Sequence, residues 1–449
     1  MTQVAPPPIP RAAGSLPVLG HAIPLYRDTL GFIASLRARY GPLVEITLQP
    51  GTRTVIVQDP ELIHTMLTDL GPSLDKGRFF DKMGQLLGES VVTVAGREHV
   101  RKRRQIQPAF GRAEIAGYVD IMRGEVNAAL DSWEPGKRLD VRESMIQLSL
   151  DMLAQTVFSG SLDGDTFREL RTNLATVMNS VGVRVMMPDW VERLPIPFNR
   201  RFEEARSAVR STIGTAVTEL RASGYDTGDM LSLLLAARDE TTGEPLSDYQ
   251  VCSEILTLAL AGTENTATVL AWVVYELARH PEIEARVLAE VEEVLGDRPV
   301  TFDDVPRFTY LERVIREVLR LHHTGWLVTR RTLTETRLGD FTLPAGTDLA
   351  YCQHALHRDP ALYPDPLRFD PDRWLDSKHQ LLPGSFVPWG AGKHKCLGDR
   401  YAMTELLTAL PTILRRVRFG LAPGQTVKPV ARATVRPGKM MMMVEKRLP

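Results

Sequence analysis

The chain has 449 residues, 43% hydrophobic and 24% charged, with 54 Lys and Arg against 55 Asp and Glu and a net charge of -1. This is the composition of a folded globular protein and excludes general disorder; the near-zero charge excludes a global basic field for nucleic acid. Three cysteines, Cys252, Cys352 and Cys396, form no CxxC pair, which argues against a disulfide scaffold and for a reducing compartment.

Residues 1–24 form a Pro-rich lead-in, read as an extended surface segment. It lacks the apolar run of a signal peptide, and nothing reads as a membrane anchor of about 18 or more apolar residues. The expectation is a cytoplasmic protein. Next, LGFIASLRARYG has apolar residues at helical spacing and ends on Gly41. LVEITLQPGTRTVIVQDP reads as two strands around a Pro-Gly turn, and residues 61–70 read as helix. From about 114 to 280 the pattern is mostly helical. Its longest stretch runs from Ser247, a plausible cap, to Arg279, where His280-Pro281 stops it. That helix is apolar around much of its circumference, so it should run through the protein's centre. Glu254, Glu264 and Asn265 in its interior argue against a membrane span. Residues 335–352 alternate as short strands, 355–392 are dense in Pro and Gly, and a last helix spans about 397–417. An irregular stretch of that length signals function more often than filler. The fold class is mainly α with a smaller β portion.

The irregular stretch ends in Pro388-Trp389-Gly390-Ala391-Gly392-Lys393-His394-Lys395-Cys396-Leu397-Gly398. Glycines on both sides of a lone cysteine let backbone N–H groups approach the sulfur, and the following helix N-terminus favours thiolate. One thiolate without a second nearby thiol suits an axial bond to haem iron better than a tetrahedral zinc site.

This segment resembles the haem-binding loop of the cytochrome P-450 monooxygenases. The resemblance implies that Cys396 is the proximal ligand of haem b and that His394 binds a haem propionate. Trp389 stands where the family usually has Phe. Glu317-Val318-Leu319-Arg320 resembles the ExxR helix, and Pro371-Asp372-Arg373-Trp374 the segment whose arginine joins it, so Glu317, Arg320 and Arg373 are expected to form one buried network. The helix Gly96 to Arg104 resembles the propionate-binding helix, with His99 and Arg103 one turn apart; Arg330, or else Arg331, falls at another propionate position. Ala261-Gly262-Thr263-Glu264-Asn265-Thr266 resembles the oxygen-activation motif. Glu264 matches its acid, but Asn265 replaces the usual threonine, with Thr266 next along. An amide holds a water or dioxygen yet does not relay a proton as a hydroxyl does.

The family's fold places haem between the long central helix and the Cys loop, within a single catalytic domain over residues 1–449 without a fused reductase. Electrons are then expected from a ferredoxin and its reductase. Lys393, Lys395, Arg400 and the Arg101 to Arg104 cluster offer either a docking face for an acidic carrier or a plain solvated surface. Family topology puts substrate contacts at Phe79, Leu86, Leu87, Val181, Leu258, Ala261, Gly262, Trp326, Val328 and Ala433, an apolar lining for a small molecule oxidised with dioxygen. The whole chain also resembles bacterial members that oxidise terpenes, the pentalenene oxygenases of antibiotic pathways among them, so a sesquiterpene such as pentalenene is the expected substrate. A haem-thiolate peroxygenase or isomerase, and a non-catalytic haem sensor, remain open at this point.

Overall fold

The computed structural model describes residues 7–447 other than 18, 48–52, 159–161, 186, 188, 225–227, 376–380, 422–424 and 432–433. Two compact units result, Met1–Lys82 with Arg316–Cys396, and Met83–Ile315 with Leu397–Pro449.

The first unit is built on a five-stranded sheet in the order Leu43–Ile46, Thr54–Val57, Asp348–Cys352, Leu327–Thr332, Leu74–Asp75. The first two strands pair antiparallel with Leu43 opposite Val57, and Thr54–Val57 runs parallel to Asp348–Cys352. Alternation along the strands sorts side chains to two faces. Leu43, Val55 and Val57 pack with Ile63, Met66 and Leu67, whereas Val44, Ile46, Ile56 and Ala350 pack with Ile33 and Leu36 of the helix Ala22–Tyr40. That helix stops where sequence places its end, at Gly41, whose N–H bonds back to the Arg37 carbonyl. The next one, Pro60–Leu67, is capped by the Asp59 carboxylate accepting from the Glu61 and Leu62 N–H groups. A cap of this kind contributes about 1 kcal/mol.

The second unit is helical around the central helix Asp248–Arg279. Ser247 and Gln250 close a capping box at its N-terminus, and His280 with Pro281 ends it. It packs on the helices Val141–Phe158 and Asp399–Arg416, which buries it from Thr266 to Leu277 without a break. Among the described residues no helix is long and apolar enough to cross a membrane. A small sheet of Arg138–Asp140, Met441–Lys446 and Val417–Leu421 and the hairpin of Pro429–Ala431 with Val435–Pro437 complete the unit. The run of methionines at 440–443 is strand packing, with Met440 and Met442 buried.

Candidate functional site

In the first unit, Cys396 ends a tight loop. Its N–H donates to the Trp389 carbonyl at 2.8 Å, and the Lys395 N–H to the Gly392 carbonyl at 3.1 Å. Gly392 has φ +64°, and a Cβ there would overlap the Leu67 carbonyl, so only glycine lets the loop lie on the end of Pro60–Leu67. The helix Asp399–Arg416 starts three residues after the cysteine. Cys396 is exposed, while Cys252 and Cys352 are buried and burial pushes both their thiols up to about 11. Cys396 is therefore the accessible thiol of the three. His394 lies partly buried in the short turn before it.

Glu317, Arg320 and Arg373 meet in the interior of this unit. Arg320 is bidentate to Glu317, Nη2 to Oε1 at 2.7 Å and Nε to Oε2 at 2.9 Å, with both side chains fully buried. Its remaining N–H groups donate to the His357 and Pro366 carbonyls, each at 2.7 Å, and to Arg368 at 3.2 Å. Arg373 Nε reaches Glu317 Oε1 at 3.4 Å. Two donors that sequence did not suggest complete the carboxylate, Trp374 Nε1 at 3.0 Å and the Asp370 N–H at 3.1 Å. Every oxygen of the buried acid is thus satisfied, which is what makes a buried pair tolerable. The network ties the ExxR helix to the irregular segment that leads to Cys396.

Arg330 and Arg331 are neighbours on the strand Leu327–Thr332 and point to opposite faces. Arg331 is taken by Asp75 at 3.1 Å and Asp81 at 2.9 Å. Arg330 is 5% exposed and donates to the Thr329 carbonyl at 2.7 Å; among the described residues no carboxylate pairs with it. Burial depresses its pKa, opposed by Tyr351 and Asp75. A buried guanidinium without a carboxylate is costly, and it fits the acidic side chain of a haem. Phe79, Trp326 and Val328 of this unit are partly buried.

In the second unit, His99 is buried and Arg103 half-buried one turn on, both on the helix Gly96–Ile106. Other charged residues of that helix have acidic neighbours. Lys102 is fully buried, 3.9 Å from the fully buried Glu254. Arg101 is matched by Glu98 at 2.9 Å and Asp239 at 3.6 Å, and Arg104 by Glu240 at 3.5 Å.

The central helix changes character between Leu258 and Asn265. Between the buried stretches Val251–Thr257 and Thr266–Leu277, Leu258, Ala261, Gly262 and Asn265 are accessible or half-accessible, as are Leu260 and Glu264 on another face; the spacing of the first four places them on one face. Asn265 Nδ2 donates to the Ala261 carbonyl at 2.7 Å, leaving the amide oxygen as the acceptor it presents. Thr266 does not share that stripe. It is buried, donates to the Gly262 carbonyl at 2.6 Å and lies 3.3 Å from Ser149 Oγ. Glu264 accepts from Thr434 Oγ1 at 2.8 Å and pairs with Arg436 Nη1 at 3.4 Å, so the C-terminal hairpin holds the acid of the motif. Sequence also missed Glu405, one turn after Tyr401 on the following long helix. It is buried beside Thr266 and Ser149, and burial pushes its carboxyl up to about 8 against their hydrogen bonds. Leu86, Leu87 and Val181 are core residues, and Ala433 lies outside the described residues.

The first unit thus carries an accessible thiol on a Gly-rich loop and a buried Arg330 with which, among the described residues, no carboxylate pairs; the second carries a long helix with Leu258, Ala261, Gly262 and Asn265 accessible on one face. Residues 7–446 match the family described as Cytochrome P-450, and the chain belongs to that family as one of its haem-containing monooxygenases. It is 43% identical to a cyclooctat-9-en-7-ol 5-monooxygenase of Streptomyces melanosporofaciens, over 99% of this chain and 97% of that one. Pentalenene oxygenase of Streptomyces avermitilis is 35% identical over 98% and 97%. In structure the chain is similar to the heme domain of cytochrome P450DA, with TM-score 0.88, 26% identity and 99% of each chain covered. The mainly α fold expected from sequence is the fold of this family. The isomerase and sensor alternatives are set aside by the same membership.

Proposed function

We propose that this monooxygenase oxidises a polycyclic terpene, a hydrocarbon such as a sesquiterpene or an alcohol derived from one, and that its two units together make a single catalytic domain. The observation that carries the reading is the accessible stripe of the central helix, in which Leu258, Ala261 and Gly262 offer no charge and Asn265 offers one amide oxygen. Such a stripe favours an apolar skeleton and accepts one hydroxyl donor at most. The names of the similar proteins, a cyclooctat-9-en-7-ol monooxygenase and a pentalenene oxygenase, support the same class.

Cys396 would hold the haem iron through its thiolate, and Arg330, His99, Arg103 and His394 would hold its propionates. When bound, the haem supplies dioxygen activation, so that R–H, O2, two electrons and two protons give R–OH and water. The chain's own residues bind, orient and move protons. Arg330 and His99, both buried, would each offer a donor to a haem carboxylate. The network of Glu317, Arg320 and Arg373 keeps the loop before Cys396 in place. Glu264, held by Thr434 and Arg436, is the acid that stands nearest in sequence to the open stripe; Asn265 fixes a water or a substrate hydroxyl through its oxygen rather than passing a proton itself. A ferredoxin with its reductase is the proposed electron source.

The test is the ferrous–carbon monoxide difference spectrum, followed by titration of the ferric protein with terpene hydrocarbons, terpene alcohols and medium-chain fatty acids. Thiolate-type absorption and a low-to-high-spin shift confined to terpenes are expected, with turnover on a ferredoxin system. A shift with fatty acids alone sinks the substrate assignment. A spectrum lacking thiolate ligation sinks the role of Cys396.

A further inference from the structure

The first unit contains a cavity of about 440 Å³, a volume suited to a small organic molecule. It lies between the second half of the helix Ala22–Tyr40, the strand Thr54–Val57 with the start of Pro60–Leu67, and the segment Cys352–Pro360. None of the residues assigned above to haem or terpene lines it. Val57, Ile63 and Leu356 supply a buried apolar wall. Ala34 and Ala38, one helical turn apart, line the cavity and are also exposed, so it opens along that helix.

The polar part of the lining is unbalanced. Arg358, partly buried, donates from Nη2 to the Leu321 carbonyl and from Nη1 to His354 Nδ1 at 2.7 Å. A guanidinium only donates, so Nδ1 is the acceptor and the imidazole keeps its proton on Nε2. Burial pushes the His354 pKa down to about 3, which leaves that ring neutral. Among the described residues no carboxylate pairs with Arg358. The neighbouring Asp359 is taken by Arg37 at 2.6 Å, and Arg37 also donates to the Gln58 carbonyl at 3.0 Å. The lining therefore keeps one uncompensated positive charge, and burial brings the Arg358 pKa down to about 10. Gln58 adds the complementary defect. Its side chain is 6% exposed, and Nε2 donates to the Gly41 carbonyl at 3.3 Å, which sets the orientation of the amide. Oε1 is left without a hydrogen-bond partner among the described residues. A cation without a counter-charge and a buried acceptor without a donor are both costly as plain packing, and they line the same cavity.

We propose that this cavity is a second ligand site, built for a small hydroxy acid with an apolar body. The carboxylate pairs with Arg358, the hydroxyl donates to Gln58 Oε1, and the hydrocarbon lies against Val57, Ile63 and Leu356. A single carboxylate matches the one unpaired charge of the lining, and a charge-assisted bond to a guanidinium is stronger than a neutral one. A second acidic group finds no partner, because Arg37 is already committed to Asp359. The site is independent of the terpene reading above.

The experiment uses the haem-loaded full chain and three flexible probes, 8-hydroxyoctanoate, octanoate and 1,8-octanediol, whose chains adapt to the spacing of the two polar groups. Binding is followed by calorimetric titration, with the ferric spectrum recorded beside it. Saturable binding of 8-hydroxyoctanoate without a change of spin state is expected. The diol, which lacks the carboxylate, should bind about tenfold or more weaker, and octanoate, which lacks the donor, should also bind more weakly. Two variants locate the site. Arg358→Met should bring the hydroxy acid down to the affinity of the diol and leave the diol unchanged. Ala34→Leu with Ala38→Leu adds bulk at two exposed helix positions; it should weaken all three probes while the ferrous–carbon monoxide spectrum stays that of wild type. This second variant leaves Arg358 in place, so it decides the location even where Arg358→Met fails to accumulate. Equal affinity for acid and diol, or an acid affinity unchanged in Arg358→Met, overturns the anion site. Octanoate as tight as 8-hydroxyoctanoate overturns the part given to Gln58. Binding that shifts the ferric spectrum and ignores the leucine pair puts the probe at the haem instead, and no saturable binding means a cavity that holds only water; either result overturns the proposal.

Discussion

Glu405 offers the sharpest test of the electrostatics behind the central helix. Its side chain is 1% exposed on the helix Asp399–Arg416. Burial raises its pKa from 4.5 to about 8, and hydrogen bonds to Thr266 and Ser149 offset only part of that. The unfolded chain releases this proton at the lower value and the folded chain keeps it to the higher one. The folded state therefore binds more protons between them, and stability falls as pH rises through that window. Each pH unit is worth about 1.4 kcal/mol, so the loss from pH 6 to 8 is about 2–3 kcal/mol. At about 2.1 cal/mol/K per residue the unfolding entropy of a chain this long makes that about 2–3 °C in Tm. Glu405→Gln keeps the shape and removes the titration. Thermal melts of wild type and variant from pH 5.5 to 8.5 should diverge, the variant gaining on wild type by that amount toward alkaline pH. Parallel curves would show that Glu405 titrates near its ordinary value and that its surroundings are wetter than the structure describes.

Three further outcomes follow from the same geometry. Arg330→Met removes a buried guanidinium with which, among the described residues, no carboxylate pairs; the haem-free chain should melt no lower than wild type, while haem transfer to an acceptor protein accelerates about tenfold or more, a charge-assisted bond being worth about 1.5–3 kcal/mol. Slower or equal haem loss refutes its assignment to a propionate. Glu317→Gln leaves Arg320 buried without its counter-charge, a change that costs about 3–5 kcal/mol; the yield of haem-loaded protein and its Tm should collapse, and near-normal values contradict a buried network. In haem-free protein at pH 8, alkylation should modify Cys396 rapidly, since the thiols of Cys252 and Cys352 are buried and pushed up to about 11. Mass mapping that finds either of those two modified first would refute the burial described.

Local chemistry was legible in the sequence wherever it is written into neighbouring residues. The Cys396 loop, the spacing of Glu317 and Arg320, the Ser247 cap and the stop at His280-Pro281 all act within one turn or one loop, so their residue types state their purpose. The alternating strands around 43–57 and the long apolar helix were readable for the same reason, because a periodicity of two or 3.6 is a property of contiguous chain.

Tertiary structure decided everything that depends on which distant group comes near. Lys102 reads as one more cation in a basic run, yet Glu254, far along the chain, turns it into a buried ion pair. Arg330 and Arg331 are adjacent, and sequence ranks the first above the second only by resemblance; strand pleating sends Arg331 to Asp75 and Asp81 and Arg330 into the interior. Thr266 and Asn265 are adjacent, but about 100° of helical rotation puts one against Ser149 and the other on the open stripe. Glu264 meets Thr434 and Arg436 only because the last hairpin returns to the central helix, and Glu405 is perturbed only because packing removes its water. Sequence determined which groups could do chemistry; burial and long-range pairing decided which of them stay charged, where they point and what they can reach.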